Sequence, residues 1–157
     1  MRGARRSLAG ALVALALAMV VGERDASAGV CFFDSTVTVS FGTYDVFSTT
    51  AIEAAGSVTY RCSPNTSVAI TLNTGLNATT FFPRYLANGI DKLSYNLYLD
   101  TILTKVWGDG TGGSVLYSNP AQPKWRTITV PVFGRLPAGQ DVSAGPYSDT
   151  VTITMNF

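Results

Sequence analysis

In a chain of 157 residues that is 46% hydrophobic and only 13% charged, 11 basic side chains stand against 10 acidic ones. A basic nucleic-acid surface needs clustered cations and intrinsic disorder needs low hydrophobicity with high net charge, so both are excluded. There is also no histidine. Its absence removes the commonest general base and the commonest metal ligand, and with them most catalytic triads and zinc sites.

The chain opens on Arg2, Arg5 and Arg6, followed by an apolar run from Leu8 to Val21 and by the small residues Ala26, Ser27 and Ala28. This is the pattern of an export signal, so residues 1–28 are expected to be removed and 29–157 to form one domain. The run falls short of the roughly 20 apolar residues of a spanning helix, so no membrane anchor is expected after cleavage. Arg2, Arg5, Arg6, Arg24, Glu23 and Asp25 leave with the leader, which keeps 7 basic and 8 acidic residues in the domain and implies no polyanion partner. Cys31 and Cys62 both remain, 31 positions apart in an exported chain, and are expected to form a disulfide. A redox pair would place its thiols two residues apart.

Beyond Cys31 the apolar period is two. Val37, Val39 and Phe41 alternate with Thr36, Thr38 and Ser40 in a first predicted strand that ends before Gly42. Val58, Tyr60 and Cys62 mark a second, Val68, Ile70 and Leu72 a third, and Leu93, Tyr95, Leu97 and Leu99 a fourth, with Tyr98 on its other face. Ile128, Val130 and Val132 mark a fifth, where Pro131 suggests an edge or a bulge. Val151, Ile153, Met155 and Phe157 alternate with threonines and Asn156 in the last. Turn formers fall between these runs at 73–75, 87–89, 108–113, 118–120 and 137–139. Short strands, frequent turns and a disulfide near the start predict an all-β, immunoglobulin-like β-sandwich.

Single residues add less. Tyr147 precedes the last strand, where its hydroxyl either ties the chain back to upstream backbone or belongs to an ordinary half-buried tyrosine. Trp107, Gly108, Asp109 and Gly110 open a loop that suits a calcium or glycan site, but with Asp109 its one obvious oxygen donor a tight glycine turn with Trp107 in the core is expected instead. Arg84, Arg126 and Arg135 read as isolated, solvated charges. Asp91, Asp100, Asp141 and Asp149 sit in turns or at strand ends, without the pairing of a glycosidase. The matches to the glycosylation pattern at Asn65 and Asn77 receive no role. No catalytic residue, metal or cofactor is expected.

The two ends of the domain carry the functional reading. If the last strand is the sixth of a seven-stranded sandwich, a groove opens between Val37, Val39 and Phe41 on one side and Val151, Ile153, Met155 and Phe157 on the other. A strand from another chain would then complete the fold; the residues leave a self-complete sandwich equally open.

The sequence also resembles the spore coat protein U domain family, the subunit fold of archaic chaperone-usher pili. The residues that carry the resemblance are Phe41-Gly42-Thr43-Tyr44-Asp45, Gly56-Ser57-Val58-Thr59-Tyr60-Arg61-Cys62, Leu93-Ser94-Tyr95-Asn96-Leu97-Tyr98, Val106-Trp107-Gly108-Asp109-Gly110, Phe133-Gly134-Arg135-Leu136-Pro137-Ala138-Gly139-Gln140 and Gly145-Pro146-Tyr147-Ser148-Asp149-Thr150-Val151. Their order and spacing together are specific. The resemblance implies a secreted pilin-like subunit that a periplasmic chaperone holds open and an outer-membrane usher threads into a surface fibre beside other pilin subunits, as in cell adhesion and biofilm formation. The groove residues then become a donor-strand acceptor. A shaft subunit would carry an alternating donor extension, whereas here Gly29 and Val30 alone separate the expected cleavage site from Cys31, and Glu23, Arg24 and Asp25 would make a poor donor. A terminal place at the tip or as an adaptor is therefore expected. Two alternatives are an extracellular coat or matrix protein and a carbohydrate-binding module with Trp107, Trp125 and Tyr98 facing outward.

Overall fold

Two long strands of opposite direction form the frame, because each alternates inward apolar with outward polar side chains over eleven residues. They are β2 (Ile52–Cys62) and β7 (Arg126–Leu136), paired without a register break from Ile52 opposite Leu136 to Cys62 opposite Arg126. The computed structural model describes residues 29–121 and 124–157; the expected export signal, 1–28, lies outside them. The other strands are β1 (Cys31–Val37), β3 (Val68–Leu72), β4 (Arg84–Asn88), β5 (Asp91–Tyr98), β6 (Tyr117–Asn119) and β8 (Ile153–Asn156). No helix occurs among the described residues.

One sheet has the order β1-β2-β7-β5-β4 and the other β6-β3-β8, every pairing being antiparallel. Their inner rows meet in one core, with Val58, Tyr60, Leu93, Tyr95, Leu97, Val130, Val132 and Leu136 from the first sheet and Val68, Ile70 and Leu72 from the second. The fold is an immunoglobulin-like β-sandwich. Between β4 and β5 a two-residue turn puts Gly89 at φ 61°, the left-handed position that its missing Cβ allows.

Trp107 is fully buried, and its indole N–H donates to the Ile70 carbonyl at 3.0 Å, so the glycine-turn expectation holds. The outward-facing Trp107 of the carbohydrate-binding alternative is wrong for the same reason. The Tyr147 hydroxyl donates to the Ser143 carbonyl at 2.8 Å, which is the tie to upstream backbone.

Three expectations need correction. The first strand runs over Cys31–Val37 rather than 36–41, because Val37 opposite Ser57 is the last pair of its ladder with β2. Arg84 is fully buried instead of solvated. Its guanidinium donates to the carbonyls of Asn73 and Trp107 and to Asn96 Oδ1 at 2.7 to 3.1 Å, and lies 5.2 Å from the Phe81 ring centre. With these acceptors the cation is satisfied where bare burial would be prohibitive. Pro131 sits within the central strand β7, but β5 pairs with β7 only opposite Phe133, Gly134 and Arg135, so Pro131 has a strand partner on one side alone.

Cys31 and Cys62 are register partners at the start of β1 and form the expected disulfide. Closing a loop of that separation contributes roughly 3 to 4 kcal/mol through the unfolded chain. Replacing both cysteines by serine is expected to lower the melting temperature by about 10 °C or more; an unchanged thermal transition would show that the bond adds nothing to stability.

Candidate functional site

The inner row of β8 and of the residues just before it, Val151, Ile153 and Met155, is half-buried against the core. On one edge β8 pairs with β3, Ile153 opposite Leu72 and Met155 opposite Ile70. On its other edge no strand pairs with it among the described residues. An edge of this kind presents a row of backbone donors and acceptors to whatever lies alongside.

What lies alongside is space. A cavity of about 250 Å³ is lined by Val37, Val39 and Phe41 on one wall and Asp149, Val151 and Ile153 on the other. Its floor is the core itself, with Val58, Leu72, Leu97 and Val132. A larger cavity of about 880 Å³ shares Thr38, Val39, Phe41, Leu86 and Asp149 with it and continues along 38–46 and 142–149, over Leu93 and Leu136. Together they make one groove between the segment after β1 and the segment leading into β8.

The segment 38–46 alternates like a strand yet joins no ladder. Val39 and Phe41 turn into the sandwich and cross the first sheet where it carries glycine. A Cβ on Gly134 would lie 2.5 Å from Val39 Cγ1 and 2.8 Å from Phe41 Cζ, and one on Gly56 would strike the Val37 carbonyl. Phe41 meets Tyr95 edge to face at 5.9 Å between ring centres.

Five of the seven groove residues expected from the sequence therefore line one cavity, Val37, Val39 and Phe41 on one wall and Val151 and Ile153 on the other. Val37 is nonetheless 59% exposed, standing at the rim. Met155 packs on the core opposite Ile70, and Phe157 is 60% exposed beyond the end of β8; neither lines the two cavities.

Asp149, read from sequence as a turn residue, is the polar centre of the groove. Its Oδ2 accepts from the Tyr95 hydroxyl at 2.6 Å, and its Oδ1 accepts from Leu76 N, Asn77 Nδ2 and Thr150 N at 2.9 to 3.1 Å. Gly75 leaves room for it, since a Cβ there would overlap the carboxylate. Burial pushes the Tyr95 phenol well above its ordinary 10.0, and the hydrogen bond to Asp149 raises it further. Burial lowers the Arg84 pKa, while Tyr95 and Asp149 oppose that shift. Polar contacts of this kind leave no periodic trace in sequence; their signal was the resemblance segment Gly145 to Val151, which contains Asp149.

Two measurements check this geometry. A Gly134→Ala methyl has to displace Val39 or Phe41, so a loss of about 1 to 3 kcal/mol in urea unfolding is expected; unchanged stability would mean the 38–41 segment does not pack there. Because the folded-state pKa of Tyr95 is raised, its contribution is intact below pH 10.0 and is lost as the pH rises from there toward the folded-state value. The urea midpoint of the wild type should therefore fall more steeply above pH 10 than that of Tyr95→Phe; parallel curves would contradict the Tyr95–Asp149 contact.

Comparison with known proteins agrees with this architecture. The chain is 34% identical over 132 residues to Protein U of Myxococcus xanthus, across 76% of this chain and 72% of that protein. It superposes with a TM-score of 0.57 and 25% identity on a chain from the CsuC–CsuE chaperone–tip adhesion subunit pre-assembly complex of the archaic chaperone-usher Csu pili of Acinetobacter baumannii. That match covers 83% of this chain and 40% of the other, so this chain spans less than half the length of that structural neighbour. The family described as the Spore Coat Protein U domain matches residues 17–154, and the chain belongs to that family.

Proposed function

We propose that this chain is a structural subunit of a chaperone-usher surface fibre and that its groove accepts a strand from another subunit. The observation that carries this reading is the unpaired outer edge of β8 beside a groove floored by core residues. An added strand satisfies the backbone edge and covers the half-buried walls at Val39, Phe41, Val151 and Ile153 in one step, which is the physics of β-augmentation. The likeness to a chaperone–tip adhesion subunit pre-assembly complex supports the same role.

On this reading a periplasmic chaperone first fills the groove, an outer-membrane usher exchanges it for a pilin donor, and the protein ends on the cell surface. The role is one of assembly rather than catalysis, in a chain without histidine. A terminal place in the fibre is the finer part of the proposal, and purified protein that polymerises on its own would contradict it. The coat or matrix reading draws support from the family's description and uses the same groove. Expression linked to sporulation would favour it, and adjacent chaperone and usher genes the fibre.

The test is thermal unfolding of the 29–157 protein alone and with a capped synthetic peptide of alternating valine and threonine, or with the N-terminal extension of a partner subunit. A ligand that binds only the folded state at a hundred times its dissociation constant adds about 2.7 kcal/mol, a shift of several degrees. Ile153→Asp should abolish that shift and chaperone capture while export persists. A lone protein that is fully stable and indifferent to every strand peptide would overturn the proposal.

A further inference from the structure

The two walls of the groove are held very differently. The wall leading into β8 is tied at many points. Ser148 exchanges two backbone hydrogen bonds with Ala87, Thr152 is bonded twice to Asn73, Asp149 takes the four donors described above, and β8 pairs with β3. The opposite wall, 38–46, belongs to no ladder. Among the described residues one hydrogen bond joins the 38–51 segment to the rest of the protein: the Gln140 backbone N–H donates to the Tyr44 hydroxyl at 2.8 Å.

Gln140 is itself clamped. Its Oε1 accepts from the Ser94 N–H at 2.6 Å and from the Ser94 hydroxyl at 2.8 Å. Its Nε2 donates to the carbonyls of Ser94 and Pro137, both at 3.0 Å. The side-chain amide thus stands beside β5 as a substitute peptide group, just past Leu136 where β7 ends. Bond by bond, β5 holds Gln140 and Gln140 holds Tyr44, whose ring lines the larger cavity.

We infer that Tyr44 and Gln140 form a latch that positions the 38–46 wall and thereby sets the width of the groove for an incoming strand. Both are positioning residues, and the inference rests on the strand-acceptor reading above. With the latch closed, Val39 and Phe41 stay seated over Gly134 and the groove keeps its shape. With it open, the wall swings on apolar contacts alone, since no ladder restrains it.

Chymotrypsin cleavage after the half-buried Phe41 reads the latch, because it tracks the population of the open form, while Phe47, 90% exposed, serves as a site that needs no opening. Tyr44→Phe keeps the ring and a cleavage site but removes the acceptor; Gln140→Ala removes the clamp on Ser94. Each is expected to speed cleavage after Phe41 by roughly fivefold, the change that one net hydrogen bond supplies, and to leave cleavage after Phe47 nearly unchanged. The double variant should exceed the faster single one little, because both act on one linkage. The capped valine–threonine peptide should dissociate from either variant about fivefold faster, with its association rate nearly unchanged. A wild-type cleavage rate after Phe41, or acceleration there equal to that at Phe47 and at sites elsewhere in the chain, would overturn the latch. Faster cleavage with unaltered peptide dissociation would overturn its role in positioning the groove. If the peptide fails to protect even the wild type, the strand-acceptor reading falls, while the cleavage comparison still decides whether the latch exists.

Discussion

A β-strand with one bare edge beside an apolar floor is a physical conflict that the rest of this molecule is arranged around. The backbone donors and acceptors along the bare edge of β8 need partners, and the half-buried Val39, Phe41, Val151 and Ile153 that wall the groove stay partly open to water. Ordinarily a sandwich resolves both by collapsing or by supplying its own strand. Here the frame resists collapse. β2 and β7 are locked in register over eleven pairs, Cys31–Cys62 pins β1 at its start, and the buried Arg84 fixes the loops at Asn73 and Trp107 with three charge-assisted bonds and β5 with a fourth, to Asn96.

Rigidity is unevenly distributed for a reason that lies in the residues. Asp149 gathers donors from the 73–77 turn and from β5, so the wall beside β8 is part of the frame. The 38–46 segment has strand-like alternation and glycines beneath it, which bring it close to the sheet, but no ladder to hold it there. It is a strand in composition without a strand's hydrogen bonds. Val39 and Phe41 of this segment and Ile153 of β8 line the same cavity, which is why the proposed strand would lie between both.

This asymmetry also explains what the sequence could and could not disclose. Period-two alternation found the inner rows of β2, β3, β5 and β7 because those rows are apolar and continuous. It missed β4, where the inward position is occupied by Arg84, a residue whose charge breaks the pattern and whose acceptors come from the loops at Asn73 and Trp107 and from Asn96 of β5. It missed β6, which has three residues and too little length to show a period. It placed the first strand at 36–41 because alternation reports a half-buried extended chain and is silent on whether a partner strand exists. For the groove, the apolar walls were legible, apart from Met155, which faces the core, and Phe157, which runs past it. Asp149, Tyr44 and Gln140 were not, because their roles arise from single hydrogen bonds across 46 to 96 residues of sequence that no local pattern encodes.

On the strand-acceptor reading the groove also dictates the chemistry of what fills it. A helix satisfies its own backbone and cannot pair with β8, so the occupant must be extended, with free amide hydrogens on one edge. Every second side chain must be apolar to cover the floor, while those between face away. Because the half-buried walls pack against the protein's own core, covering them extends that core, and binding free energy adds to folding free energy. A ligand held on a finished surface can leave without disturbing its host. On the strand-acceptor reading the occupant completes a core and leaves only by reopening it, so its dissociation follows how often the wall at 38–46 lets go.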